Sequence, residues 1–250
     1  MILLTFNVLN NYPETKSGTD LSEEQLLAIT TENTLAVLRI LEQQDIKCTF
    51  FVDVNLVEKL APILKKIVLK GHEVALYNKG ASRIEVERAK EIASAATEKP
   101  VRGIRRKTAI LSTKELQELG LLYVSDIENA SIMFPLKRLE RSTEITEQDG
   151  LSIIPESISP YSQIPYNDFV FQVVPMQYYR EMVRESLKNE EFVLIYLNTW
   201  QFTDLKAHGL KVPFWRRFQS GKKMEDKLDD FLTWLNEREY ATSRIKDYIF

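Results

Sequence analysis

Apolar residues along this chain fall into short continuous runs, separated by longer stretches in which they recur every three or four positions. The runs are "ILLTF" at residues 2–6, "IKCTFFV" at 46–52, "HEVALY" at 72–77, "VRGIR" at 101–105, "LLYVSD" at 121–126 and "EFVLIYLNTW" at 191–200. Runs of this length, without polar alternation, suit strands covered on both faces. The stretches between them read as helices. Ser22 opens "SEEQ", a capping-box pattern with Gln25 three residues on. The helix it starts is expected to break near "TTEN", where Asn33 or Thr34 can cap a second helix. "NLVEKLAPILKKIVLKG" follows, stopped by Gly71, and then "SRIEVERAKEIASAATEK", capped by Ser82. "STKELQELG" runs from Ser112 to Gly120, "VPMQYYREMVRESLKN" carries Pro175 near its start, and "GKKMEDKLDDFLTWLNERE" is amphipathic. Residues 10–22 read as a polar connection broken by Pro13 and Gly18. Residues 129–168 read as irregular, with a strand and a long loop in "LSIIPESISPY".

Strand and helix alternating over short connections predict a parallel sheet with helical crossovers, in a barrel or a doubly wound sheet. The turn after the first strand, "NVLNNYPE", holds no glycine, so a dinucleotide-binding fold has little support. No internal repeat or linker divides the chain, and one domain is expected over residues 1–250.

Composition narrows the picture. With 44% hydrophobic and 28% charged residues, this is the make-up of an ordinary globular protein. A net charge of -3 carries no nucleic-acid footprint. The single cysteine, Cys48, allows no intramolecular disulfide and sits in an apolar run, as a buried thiol does. The opening "MILLTFNVLNN" lacks a basic region and a cleavage site, and no run approaches the roughly 20 apolar residues of a membrane span. A cytoplasmic protein with no membrane and no nucleic-acid partner is the expectation.

In parallel α/β folds ligands bind at the carboxyl ends of the strands. Those ends carry Asn7, Val8 and Asn10; Asp53 and Asn55; Tyr77, Asn78 and Lys79; Arg105 and Arg106; and Asn198, Thr199, Trp200 and Gln201. Zinc needs Cys, His, Asp or Glu ligands. Asp53 is the only carboxylate in this set, and it contains no histidine. His72 precedes a five-residue strand that rises roughly 16 Å, which puts it at the opposite end. His208 stands in the loop "DLKAHGLK".

These segments resemble the polysaccharide deacetylases, the NodB-homology family. The likeness rests on "LLTFNV", "NTLAVLRILEQQDIKCTFFV", "LAPILKKIVLKGHEVALY", "VRGIRRKTAILSTKELQELGLLYVSDI", "LIYLNTW" followed by Gln201, and "KLDDFLTWLNEREYAT". The resemblance implies an α/β fold, a distorted (β/α)7 barrel of the glycoside hydrolase/deacetylase type. It also implies metal-dependent hydrolysis of an acetamido group on a sugar polymer, with an aspartate base, a histidine acid and a divalent metal such as zinc. By that resemblance Asn7 stands for the base and Val8 for a metal aspartate. Tyr77 and Ala81 stand for the two metal histidines, Asn198 for the late histidine, and Gln201 for a glutamate. Arg105 keeps the family's arginine, while Lys107 replaces a proline.

A degenerate member follows as the expectation: no catalytic residues, no metal, no cofactor, and a role in carbohydrate metabolism as a binder of a glycan or glycan precursor. Asn7, Asn10, Tyr77, Arg105, Asn198, Trp200 and Gln201 would make the ligand site. One alternative is an active hydrolase of carbon–nitrogen bonds that deacetylates a sugar through Asp53, Arg105 and His208. The other is a non-catalytic partner protein in surface-polysaccharide synthesis, docking through Phe214, Trp215 and Phe218 of "VPFWRRFQSG".

Overall fold

A computed structural model describes residues 1–10, 21–127, 143–210 and 212–250. Pro13, Gly18 and the irregular stretch over 129–142 lie outside the described residues. Among the described residues one sheet is built from β1 (Ile2–Val8), β2 (Thr49–Asp53), β3 (Glu73–Asn78), β4 (Gly103–Arg106), β5 (Tyr123–Asp126), β6 (Thr146–Gln148), β7 (Leu151–Ile154) and β8 (Val193–Asn198). Their spatial order is β6-β7-β5-β4-β3-β2-β1-β8. Every neighbouring pair is parallel except β6–β7. The helices are α1 (Glu23–Gln43), α2 (Ala61–Leu69), α3 (Arg83–Thr97), α4 (Thr113–Glu118), α5 (Asp168–Val173), α6 (Met176–Asn189), α7 (Phe214–Arg217), α8 (Lys222–Glu237) and α9 (Ile245–Ile249).

The sheet curls. β4 and β1 are separated by two strands, yet the Arg105 guanidinium reaches Thr5 and Asn7 of β1. A flat sheet would hold those strands roughly 14 Å apart. Between β8 and β7, the outermost strands of the parallel part, the segment after β7 bridges the gap. Leu194 N donates to Ser157 Oγ at 2.8 Å, and Tyr196 N donates to the Tyr166 carbonyl at 3.2 Å. Seven parallel strands in a curled sheet make the distorted (β/α)7 barrel that the family resemblance implies, with β6 an antiparallel addition.

The two-residue period of each strand sorts the side chains. Ile2, Leu4, Phe6 and Val8 of β1, with Phe50, Val52, Leu76, Ile104 and Val124, join the helices in the outer core. Leu3, Phe51, Ala75, Tyr77, Tyr123 and Leu194 face the barrel interior. That interior also holds polar groups. At the amino end of the strands Glu73 is buried and accepts from Thr49 Oγ1 at 2.7 Å, Tyr123 Oη at 2.9 Å and Lys246 N at 3.2 Å. Helix α9 covers this end, with Ile245 N donating to Thr49 Oγ1 at 3.0 Å. Gly103 makes the arrangement possible: a Cβ there would stand 1.8 Å from Tyr123 Cζ.

Several expectations need correction. Helix α1 runs unbroken through "TTEN". Thr30 and Thr34 hydroxyls donate to the carbonyls four residues back, and Asn33 is buried, donating to Thr203 Oγ1 at 2.6 Å. The polar groups that suggested a cap are thus satisfied without one. Helix α2 starts at Ala61, not near Asn55, with Pro62 in its first turn and a short 3-10 turn, Val54–Leu56, before it. β6 was not anticipated. The Asp149-Gly150 turn that joins it to β7 has φ of 53° and 76°, as a two-residue hairpin demands. Helices α5 and α7 were missed as well. Among the described residues, no helix is long and apolar enough to cross a membrane.

Candidate functional site

Arg105 is the centre of the barrel mouth and is 0% exposed. Its Nη1 donates to Asn7 Oδ1 at 2.8 Å and Thr5 Oγ1 at 3.0 Å, and its Nε donates to Ser125 Oγ at 3.1 Å. The guanidinium lies over the Phe51 ring, 3.9 Å from its centroid. All three hydrogen-bond acceptors are neutral. Burial pulls the guanidinium down to about 10.

From Arg105 a line of amides leads outward. Asn7 and Asn198 are paired in register on β1 and β8. Asn7 Nδ2 donates to Asn198 Oδ1 at 2.9 Å, and Asn198 Nδ2 donates to Asp168 Oδ2 at 2.7 Å. Each amide thus turns its carbonyl toward the cation and its NH2 toward the carboxylate. Arg216 Nη1 closes the line, 3.4 Å from Asp168 Oδ2. Gln201 props it from behind: its Oε1 accepts from Asn198 N at 3.0 Å, and its Nε2 donates to the Asp168 carbonyl at 2.9 Å and Gln172 Oε1 at 3.1 Å. Burial raises the Asp168 carboxyl above its ordinary value, against the opposing pull of Arg216 and Asn198.

The residues named from sequence divide. Asn7, Arg105, Asn198 and Gln201 are brought together in one network. Tyr77 lies beside Arg105 in register and is buried inside the barrel, which raises its phenol. Trp200 is buried in the turn after β8, and Asn10 is half-buried. Val8 and Ala81 belong to the outer layer and pack with the helices. Tyr77 and Ala81 therefore face different layers, with Ala81 N donating to the Asn78 side chain. Asp53 is held by Lys79 Nζ at 2.6 Å and by Asn55 N at 3.0 Å. His208 faces Glu32 of α1 at 3.9 Å, and the structure does not join it to Asp53 or Arg105. His72 is buried at the far end, where its Nδ1 accepts from Cys48 N at 3.3 Å. Arg106 leaves the mouth for the loop, pairing with Asp126 through Nε at 2.6 Å and Nη2 at 3.1 Å.

Sequence reasoning missed Asp168 and Gln172. Asn167 caps α5 through Val170 N, with Asp168 in the first turn. An Asn-Asp pair ahead of "FVF" is a helix-start signal that places Asp168.

The donor set does not fit a divalent transition metal. Among the described residues, no three His, Cys, Asp or Glu side chains stand close enough to hold one. Two amides (Asn7, Asn198), a phenol (Tyr77), an isopropyl group (Val8) and a methyl group (Ala81) occupy the positions that the resemblance assigns to ligands and proton carriers. Amide groups neither accept a proton near neutral pH nor bind zinc well.

Residues 2–106 match the sequence model of the polysaccharide deacetylase family. No curated protein sequence matches the chain. Solved structures share the fold over nearly its whole length. A probable polysaccharide deacetylase from Pseudomonas aeruginosa PAO1 is 12% identical, with a TM-score of 0.59 over 98% of this chain and 88% of its own. BA3943, a CE4 family pseudoenzyme from Bacillus anthracis, is 14% identical, with a TM-score of 0.53 over 99% of this chain. This chain spans 64% of that protein's length. The Bc1960 peptidoglycan N-acetylglucosamine deacetylase is 16% identical, with a TM-score of 0.53 over 98% of this chain and 86% of its own.

Proposed function

For a chain with a polysaccharide deacetylase family sequence over residues 2–106, on that family's fold, we propose a non-catalytic role: it binds a glycan or glycan precursor without hydrolysing it. One observation carries this reading. The positions that the resemblance assigns to base and acid are Asn7 and Asn198, hydrogen-bonded to each other at 2.9 Å and spent between Arg105 and Asp168. A general base has to present a free lone pair to water, and a general acid has to carry a labile proton. Neither amide does either. The reading includes no bound metal and a cytoplasmic setting, which fractionation of the native cell would check.

The test is acetate release from acetylated chitooligosaccharides and peptidoglycan, with zinc, cobalt or manganese supplied, alongside the metal content of protein loaded with zinc and desalted. No acetate and no retained metal are expected. A second reading, an active hydrolase, is favoured by Asp168. It is a largely buried carboxylate at the mouth with a raised pKa, the state in which acid–base groups are found. Acetate release that disappears in Asp168→Asn would establish it and end the non-catalytic one.

A further inference from the structure

The segment that closes the amide line is unusual in charge and in exposure. Residues 205–224 contain no Asp or Glu, yet carry Lys206, Lys211, Arg216, Arg217, Lys222 and Lys223, in a chain whose net charge is -3. Within it Phe214, Trp215 and Phe218 are 68%, 61% and 44% exposed. Large apolar side chains exposed singly need no explanation. Three within five residues, among cations, form a surface that folding alone leaves without a use.

The segment is anchored at the mouth. Arg216 Nη1 meets Asp168, and its guanidinium lies 5.3 Å from the Phe169 ring centroid. Gln172 Nε2 donates to the carbonyls of Arg216, at 2.8 Å, and of Phe218. With Arg216 turned inward, Trp215 and Arg217 are left on the outside. The rings of Phe214 and Phe218 stand 6.5 Å apart beside them. Lys222 is engaged by Glu225 and Asp226, whereas Arg217 and Lys223 are exposed.

We propose that this aromatic and basic ridge at the barrel mouth binds an anionic polysaccharide, one carrying carboxylate groups along its chain. Aromatic faces stack on the apolar faces of pyranose rings, and Arg217 and Lys223 meet the carboxylates. Charge complementarity selects an anionic occupant. The anchoring of the ridge to Asp168 and Gln172 makes it the rim of the site already described, which favours a glycan over a membrane surface. The inference rests on the glycan-binding reading and names its ligand class.

The experiment is native affinity electrophoresis of the full chain in gels containing polygalacturonate, with dextran as the neutral control and phosphatidylglycerol vesicles in a parallel sedimentation assay. Retardation by polygalacturonate alone is expected, weakened about tenfold in Kd by Trp215→Ala and by Arg217→Ala, with Tm unchanged and with retardation falling as salt is added. Absence of retardation overturns the proposal. So does retardation that survives both substitutions, stronger binding to vesicles, or a concentration-dependent dimer abolished by Trp215→Ala. Retardation lost only in Trp200→Ala would sink the ridge and leave glycan binding at the mouth. Acetate release with the ridge phenotype intact would sink the non-catalytic reading alone.

Discussion

The two ends of the barrel solve the same problem with opposite charges. At the amino end a buried carboxylate, Glu73, is surrounded by hydroxyl and backbone donors and roofed by α9. At the mouth a buried guanidinium, Arg105, is surrounded by neutral acceptors, and a line of two amides joins it to the Asp168 carboxylate. The closed end can shed its charge: burial shifts the Glu73 carboxyl upward, toward its uncharged form, against the opposing pull of the donors from Thr49, Lys246 N and Tyr123. An arginine has no such escape within the physiological range, so the mouth has to solvate a charge with dipoles. The closed end is a plug, and the mouth is a polarised wire that ends at a surface segment.

Breaking the wire at its source should cost the most. Arg105→Ala leaves the Asn7 carbonyl without its donor and opens a cavity against Phe51. A loss of about 3 kcal/mol or more is expected in denaturant unfolding. A change below about 1 kcal/mol would show that the guanidinium is not what organises the mouth.

The closed end should govern the acid limb of stability. Burial, helped by Lys47, Lys70 and Arg244, holds His72 down to about 4 in the folded protein. An unfolded histidine takes its proton near 6.5, so the unfolded state binds the proton first as pH falls. The contribution of His72 is therefore intact above about pH 6.5 and lost progressively toward pH 4, about 3 kcal/mol at most. Asp168 and Glu73, both raised by burial, act in the other direction and favour the folded state at low pH. His72→Asn keeps an acceptor for Cys48 N and removes the titration. Its unfolding free energy should fall less steeply between pH 6.5 and 4 than that of the parent, and parallel curves would rule His72 out.

The direction of the wire makes the finest test. Asn7→Asp sets a carboxylate oxygen against Asn198 Oδ1, and Asn198 cannot turn without facing its own oxygen to Asp168. The oxygen–oxygen contact is expected to cost about 1–2 kcal/mol, offset in part by the ion pair that the new carboxylate makes with Arg105. Adding Asp168→Asn lets the whole line reverse, with Asn198 donating to residue 7 and accepting from residue 168. The double variant should recover most of that cost, a coupling of about 1 kcal/mol in a double-mutant cycle. Additive effects would mean that the two amides do not act as one chain.

Much of the barrel was legible in the sequence because strands covered on both faces leave a plain signal. After their first residues, "TFFV" and "EVAL" are apolar on both sides, one side meeting helices and the other the barrel interior. Where polar groups satisfied one another locally, the signal misled: Thr30 and Thr34 bond back to their own helix, so a string that reads as a cap lies inside α1. The site was legible only in part. Asn7, Arg105, Asn198 and Gln201 lie at strand ends, where position along the chain predicts place in the fold. Asp168 and Gln172 sit on a short helix in an irregular stretch, and only the three-dimensional path carries them to the mouth. The resemblance, being one of aligned positions, says nothing of which layer a replaced residue faces. Val8 and Ala81 keep the family's places in the chain while packing in the outer layer.

The missing side chain of Gly103 ties two positions into one historical unit. Its empty space is filled by the Tyr123 ring, whose hydroxyl reaches Glu73. Any side chain at 103 demands a smaller residue at 123, which would remove one of the three donors to Glu73 and leave those from Thr49 and the Lys246 amide. The order of substitution is therefore set in one direction: position 123 has to shrink before position 103 can gain a Cβ.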